Sequence, residues 1–415
     1  MQREGPFFYY RLENGLRVVV EPMPDVRSAA VGFLVRAGAR DEPAELAGAS
    51  HFLEHMCFKG TARRNWRQIT VGFDELGSYY NAFTTKDRTF YFGWVRGGDI
   101  IKQIELLADV MRPALPGEEF QTEKQVILEE IAMSRDRLEH RIYDLIHEKV
   151  FGDHPLARPV IGYEQTIESL RPEQLQGYLQ QHYAPQRMVL IVAGRVEPEE
   201  IREAAERFCG SWCGSSEQPG RRPPARLPVG TAVQQIDRFK QQGVALVFGS
   251  CSAVDEEHEV AQATAAILGG ENSRFFWNIV QAGIAPRAGA WSLEYEDCGS
   301  MVLFGLCQPE AAERLVEAMQ REAVRISSQP VTEQELERVK NRRRTALAAE
   351  AESPRYRLGQ ILDDVDYRGQ ARTVEQRLKA VDAVTADRVA EYLQRWPIGD
   401  QGYLVSVGPR DWPPT

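Results

Sequence analysis

No window of this 415-residue chain approaches the roughly 18 uncharged apolar residues that a membrane-spanning helix needs, so a membrane is not expected among its partners. The start, Met1-Gln2-Arg3-Glu4-Gly5-Pro6, has no cationic segment leading into an apolar run and reads without a secretory signal. Cysteine is sparse. Its six residues, at 57, 209, 213, 251, 298 and 307, are too scattered for a disulfide framework and read as the reduced thiols of a cytoplasmic protein. Cys209 and Cys213 lie four apart, and they read as small hydrophobes rather than a metal or redox pair. An excess of positive charge is lacking too: the net charge is −10 and the pI near 5.4, which argues against nucleic acid as a partner.

What is present is the composition of an ordinary globular chain, 43% hydrophobic and 27% charged. At 415 residues it exceeds a single core, so two domains of about 200 residues are expected. A stretch rich in Pro, Gly and Arg, residues 214–230, cannot form a regular element and is expected to link domains over 1–213 and 231–415. The two halves look like copies. A helical pattern over 170–179 precedes an apolar run over 188–194, and the same pair recurs over 384–393 and 403–408. Tyr178 and Tyr392, Leu179 and Leu393, Gly194 and Gly408 share one offset of 214 residues, and 31–35 corresponds roughly to 243–248. Such self-similarity indicates duplication of one fold.

Within the first half, strands are expected over 16–21, 29–35 and 88–95, and helices over 50–58, with Ser50 as N-cap, and 100–111. The fold class that follows is α+β: two homologous domains, each a mixed, mainly antiparallel sheet with helices packed on one face.

The most informative segment is His51-Phe52-Leu53-Glu54-His55. On a helix the two imidazoles, four residues apart, share a face and can reach one metal ion, with Glu54 close enough to hold a water beside it. Two neutral His ligands, an open coordination position and an adjacent carboxylate are the requirements of zinc-assisted hydrolysis. The order His-x-x-Glu-His is the inverzincin signature. The alternative is a surface helix whose His and Glu face solvent. A third ligand would come from another segment, and 118–131 is helical by the spacing of Phe120, Ile127 and Ile131. Glu123 and Glu130 lie seven apart on one stripe, while Glu129 sits about 100° around the helix from Glu130. Periodicity leans to Glu130 only weakly, and the helix taken alone reads as a solvated acidic one.

The run His51-Phe52-Leu53-Glu54-His55-Met56-Cys57-Phe58-Lys59-Gly60-Thr61 resembles the active-site helix of pitrilysin-type zinc metallopeptidases, in their mitochondrial-processing-peptidase-like branch. That family carries its third ligand, a Glu, about 75 residues beyond the motif in a run like Val-Ile-x-Glu-Glu-Ile; here 74 residues separate His55 from Glu130. The resemblance implies Glu130 as third ligand and Glu123 as the acid that orients the site. It extends through residues 77–84, 154–162 and 338–353, hence over the whole chain. What it implies is a zinc endopeptidase that cleaves peptides or unfolded precursor segments in a closed cavity, with Zn2+ as cofactor and Glu54 as general base. Asn81, Ala82 and Phe83 match the segment whose edge takes the substrate peptide as an added strand. An ordinary buried strand start is the competing reading.

The second half departs from the pattern. Active single chains of the family carry there an Arg and a Tyr seven apart, which bind substrate and stabilise the oxyanion. In Ser273-Arg274-Phe275-Phe276-Trp277-Asn278-Ile279-Val280-Gln281-Ala282-Gly283-Ile284-Ala285-Pro286-Arg287 those positions are Ile279 and Pro286, neither of which can donate a hydrogen bond, and Arg287 is one residue out of register. The expected consequence is a heterodimer in which a homologous partner subunit supplies the Arg/Tyr pair. A homodimer with an altered site is the alternative, and a non-catalytic scaffold subunit is a third reading. His140 and His147, the run 255–259, and the basic residues Lys340, Arg342, Arg343 and Arg344 read as solvated surface.

Overall fold

The structure, a computed structural model, describes residues 2–214, 222, 225–399 and 401–413. Of the linker expected at 214–230, residues 215–221, 223 and 224 lie outside the described residues. The strands are β1 Gln2–Glu4, β2 Phe7–Arg11, β3 Arg17–Pro22, β4 Ser28–Val35, β5 Tyr79–Thr84, β6 Thr89–Arg96, β7 Met188–Gly194, β8 Gly230–Gln235, β9 Gln242–Ser250, β10 Arg287–Glu294, β11 Gly299–Cys307 and β12 Tyr403–Gly408. The helices are α1 Ala49–Cys57, α2 Trp66–Glu75, α3 Ile100–Val110, α4 Gly117–Arg135, α5 Leu138–Phe151, α6 Glu164–Ser169, α7 Pro172–His182, α8 Pro198–Cys209, α9 His258–Gly269, α10 Ala312–Ser328, α11 Glu333–Ala351, α12 Pro354–Arg368, α13 Val374–Asp382 and α14 Ala386–Arg395.

The duplication is visible in the topology. One sheet runs β1-β2-β3-β7-β4-β6-β5 and the other, read from its far edge, β8-β12-β9-β11-β10. Strand for strand, β3-β7-β4-β6-β5 and β8-β12-β9-β11-β10 are the same arrangement. In each, the first pair is parallel and the remaining pairs antiparallel. The fold is α+β, as expected. One detail differs: helices cover both faces of each sheet, not one. Strands β7 and β11 are buried along their whole length, which explains why they read as continuous apolar runs instead of alternating ones.

The second face is covered by exchange. Leu138, Ile142, Leu145, Ile146 and Val150 of α5 pack on Ala245, Val247, Val302 and Val405. Leu358, Ile361, Leu362 and Val365 of α12 pack on Val19, Leu34, Phe90 and Ile191. Both sets have the three- and four-residue spacing of a single apolar helix stripe. Each half of the chain therefore lends one helix to the sheet of the other. The compact units reflect this: one comprises Met1–Ile131, Arg158–Arg221 and Leu347–Val374, the other Ala132–Ala157, Arg222–Ala346 and Glu375–Thr415.

The copies also share an atomic device. Lys124 Nζ donates to the carbonyls of Glu168 and Leu170, at 2.9 and 2.8 Å, at the end of α6. Lys340 Nζ, 216 residues later in sequence, donates to those of Asp382 and Val384, at 3.0 and 3.1 Å, at the end of α13. An ammonium group thus satisfies carbonyls that a helix terminus leaves without partners. Lys340 is accordingly buried, and the expectation of a solvated basic stretch fails there because its charge is consumed by these carbonyls. Arg344 is likewise engaged, with Glu337 and Asp382. His147 is not solvated either. It is buried, its Nδ1–H donating to the Tyr143 carbonyl at 2.8 Å and its Nε2 accepting from the Tyr295 hydroxyl, whereas His140 is exposed as expected.

Helix α12 is anchored by a buried ion pair, Arg357 Nε to Glu21 Oε2 at 2.6 Å, in which the Arg357 side chain is 1% exposed. The same guanidinium donates to Gln360 Oε1 and to the Arg372 carbonyl. An Arg357→Ala substitution takes this partner from a carboxylate that stays buried, and is expected to cost about 3 kcal/mol of stability in urea unfolding of the full chain. A loss below about 1 kcal/mol would show that this pair does not anchor α12, leaving its apolar stripe and the pairs of Asp363 and Asp366 with Arg88 and Arg36.

Candidate metal centre

Helix α1 carries His51, Glu54 and His55 and starts in a confined place. Gly48, its N-cap, has φ +97°, and a Cβ there would sit 2.8 Å from the Ile161 carbonyl oxygen, so only glycine fits. Ser50 is not the N-cap; it is already inside the helix. The capping group is Glu42, eight residues upstream of Ser50 and buried. Its Oε2 accepts from the Gly48 N–H and its Oε1 from the Ser50 N–H, both at 2.7 Å. A carboxyl group at the start of the helix accepts its free N–H groups as a Ser side chain would, and takes two where Ser takes one. Burial pushes the Glu42 carboxyl up to about 8, against the opposing pull of those two donors. The Ser50 hydroxyl bonds the Tyr178 hydroxyl at 2.7 Å, tying α1 to α7.

Helix α4 lies against α1 through Phe120 and Phe52, whose rings stack with centroids 4.6 Å apart. Phe120, Glu123, Ile127 and Ile131 form its buried stripe. Glu130 borders that stripe and is half-buried, while Glu129 faces solvent. The tertiary contact therefore selects between the acids that periodicity left open. Glu130 Oε2 lies 3.9 Å from Nε2 of His51 and 3.9 Å from Nε2 of His55. The three donor atoms fall within 4.8 Å of one another, the single such His/Cys/Asp/Glu group among the described residues. A tetrahedral zinc ion with bonds near 2.0–2.2 Å needs donors about 3.4 Å apart, so the carboxylate has to close by about half an ångström on each imidazole to share the ion with them. Two imidazole nitrogens and one carboxylate oxygen, with a fourth side left open, fit that ion. Cys209 is buried and Cys213 exposed, and all six cysteines are free thiols. The 255–259 run is half-buried, with His258 bonded to Glu294 and Glu257 to Trp396.

The electrostatics separate the roles. Burial, helped by the neighbouring His55, holds His51 down at about 3, so its imidazole is neutral and offers a lone pair at neutral pH. Its Nδ1 is buried without a hydrogen-bond partner among the described residues. For His55, burial pulls downward but is outweighed by Glu123, Glu130 and Glu54, and the net shift is upward. Its Nδ1 is 2.9 Å from Glu123 Oε2, and the other oxygen of Glu123 is 2.5 Å from Lys59 Nζ. Burial would raise the Glu123 carboxyl, yet these two donors bring it below its ordinary value, so it stays ionised and keeps His55 turned with Nε2 toward Glu130. Glu54 is shifted the other way: burial raises its carboxyl, with Glu130 adding to it, while Thr84 and His55 oppose.

Sequence reasoning missed three contributors: Glu42, Lys59 and Thr84. The Thr84 hydroxyl donates to Glu54 Oε2 at 2.5 Å, from the end of β5. Strand β5 pairs with β6 on one side only and is the edge of its sheet. Strand alternation puts Tyr80, Ala82 and Thr84 on one face, and Tyr79, Asn81 and Phe83 on the other. Thr84 points to α1, and Tyr80 stacks on Phe73. Asn81 and Phe83 are therefore exposed on the opposite face from Ala82, and Asn81 Oδ1 accepts from the Ala82 N–H. The alternation itself was the signal that could have found Thr84. In the second half, Ile279 is fully buried, Pro286 is exposed, and Arg287 pairs with Glu139 at 3.1 Å.

Comparisons with known proteins bear on the family and the fold. Residues 17–164 match the family profile described as Insulinase (Peptidase family M16), and 169–343 match the one described as Peptidase M16 inactive domain. The chain is 30% identical to an uncharacterized zinc protease of Bacillus subtilis, YmxG, over 92% of this chain and 93% of that one. It is 33% identical to an uncharacterized zinc protease of Mycobacterium leprae, over 91% and 86%. Among solved structures, a protease from Helicobacter pylori superposes with TM-score 0.90 at 21% identity, over 97% of this chain and 99% of that one. A peptidase M16 inactive domain from Pseudomonas fluorescens does so with 0.89 at 16% identity, over 97% and 98%. At such identities these two likenesses speak for the fold.

Replacing Glu123 with Gln removes the charge that fixes His55. The expected outcome is about a 10- to 100-fold loss of zinc affinity in chelator competition, with the unfolding midpoint of the metal-free chain little changed.

Proposed function

The chain belongs to peptidase family M16, the insulinase type, and from that premise we propose that it is a zinc-dependent endopeptidase. The observation that carries the reading is the convergence of His51 Nε2, His55 Nε2 and Glu130 Oε2, with the carboxyl of Glu54 on the same helix. These three atoms would hold the ion. When bound, zinc supplies the Lewis acidity that activates a water and polarises a peptide carbonyl.

The side chains do the rest. Glu54 takes the proton of the attacking water and returns it to the leaving amine, and burial shifts its carboxyl upward, the direction that suits a group that must both accept and release a proton. Thr84 holds one oxygen of Glu54 and leaves the other for that work. Glu123 keeps His55 oriented. The open side of β5 presents backbone N–H and C=O groups to a peptide lying alongside Asn81, Ala82 and Phe83, a mode that demands an extended, unfolded segment. The six free thiols suit a reducing compartment, which supports a cytoplasmic setting.

The second half supports a division of labour, in the manner of the mitochondrial-processing-peptidase-like branch. Ile279 is core and Pro286 has no N–H, so neither can stabilise an oxyanion. In this reading the chain is the zinc-bearing subunit of a heterodimer, and a homologous subunit brings the Arg and Tyr.

A Glu54→Gln variant is expected to keep its zinc stoichiometry and unfolding midpoint and to lose about 10²–10⁴-fold in kcat on a quenched fluorescent peptide. Retention of full turnover would refute the assignment of the base. For the assembly, affinity purification from the native host followed by native mass spectrometry is expected to return a stoichiometric homologue that lacks His-x-x-Glu-His. Recovery of this chain alone as a homodimer would overturn the divided site.

A further inference from the structure

Away from the metal centre, the end of α9, the turn over 271–280, the end of α10 and the first half of α11 surround a half-enclosed cavity of about 820 Å³. Its lining carries four guanidinium groups, Arg274, Arg325, Arg338 and Arg342, against two carboxylates, Glu271 and Glu335. Both carboxylates are already engaged. Glu335 takes Nε and Nη2 of Arg274 at 2.8 and 3.1 Å, and Glu271 lies 3.7 Å from Arg342, whose guanidinium also donates to the Glu271 carbonyl. Two positive groups are left over. Arg325 donates through Nε to Gln329 Oε1 at 3.0 Å and has a carboxylate, that of Glu322, no nearer than 3.7 Å, and Arg338 donates to the Gln334 carbonyl of its own helix and forms no ion pair among the described residues. In a chain of net charge −10 this is a locally positive recess.

Three further observations mark the wall as more than solvated surface. The Arg274 side chain is only 10% exposed, and its Nη1 is buried without a hydrogen-bond partner, an arrangement that costs free energy and that native folds seldom keep. The turn is strained: Asn272 has φ +52°, and Phe276–Val280 winds as a π-helix, closed by Gln281 N–H to Phe276 carbonyl at 2.8 Å. Trp277, in that π-helix, is 54% exposed; its Nε1 donates to the Asn272 carbonyl and its ring meets that of Phe276 edge to face with centroids 4.9 Å apart, so the indole is held in place while more than half of it stays open.

We infer that this cavity is a binding site for a ligand that joins an oxyanion to a flat ring. The oxyanion, a carboxylate or a phosphate, is received by the Arg338 fork with Arg325 beside it, and the ring lies on the open part of Trp277. The site is independent of peptide hydrolysis and stands or falls separately from the metal centre.

The test uses the full chain labelled with 5-fluorotryptophan, its Trp277 resonance assigned with Trp277→Phe. Three probes are titrated: N-acetylphenylalanine, whose carboxylate models a peptide end; phenyl phosphate; and the neutral N-acetylphenylalanine amide. The expected result is a saturable shift of the Trp277 signal with at least one acid, the tighter one identifying the source of the oxyanion. Arg338→Gln, at an exposed residue whose loss leaves the fold intact, is expected to weaken that binding by about tenfold or more. No saturable shift with either acid, an equal shift with the amide, or unchanged binding in Arg338→Gln would each overturn the site.

Discussion

Everything at the metal centre depends on one contact, the packing of α4 on α1 through the stacked rings of Phe120 and Phe52. Helix α1 can present two imidazoles on one face by itself, but it cannot supply a third ligand. The stack sets the rotation of α4 about its own axis. With Phe120 inward, Glu123 falls in the buried stripe three residues on, Ile127 follows, and Glu130 emerges at its border over both His Nε2 atoms. Turn α4 by one residue and Glu129 would take that place with no partner. A hydrophobic contact thus sets the geometry of a polar site, because packed rings tolerate far less displacement than ion pairs do.

The same burial that fixes the geometry sorts the charges. Dehydration pushes His51 down and Glu54 up, each toward its neutral form. Glu123 is buried as deeply but is rescued by two donors, His55 and Lys59, and remains an anion. Three ionisable groups within a few turns of helix therefore behave differently for one reason, namely how many compensating partners each finds once water is excluded. The Glu42 carboxyl under the start of α1 is the fourth case: burial raises it although two backbone N–H groups, the Ser50 hydroxyl and Arg158 pull the other way.

Duplication shapes the scaffold around this site. The two sheets repeat strand for strand, the lysine caps repeat to the atom, and each half sends a helix to cover the sheet of the other. Yet among the described residues the one His/Cys/Asp/Glu group that could hold a metal lies in the first copy. In the second copy, α11 keeps the counterpart of Lys124, as Lys340. Copying preserved what holds the fold and left the chemistry free to diverge.

Periodicity and motif spacing by themselves determined a good deal: the strands β7 and β12 to the residue, the 214-residue repeat, the pair His51 and His55 with Glu54 between them, and the family resemblance that follows from it. These are local properties, written in the order of neighbouring residues. Tertiary structure alone decided the rest. It replaced Ser50 by Glu42 as the cap, brought Thr84 to Glu54 from a strand 30 residues away, buried Lys340 and His147, and covered the second face of each sheet with an exchanged helix. Each of these depends on which surfaces meet after folding, and a linear pattern states a residue's own preference without naming the group it will find across the contact.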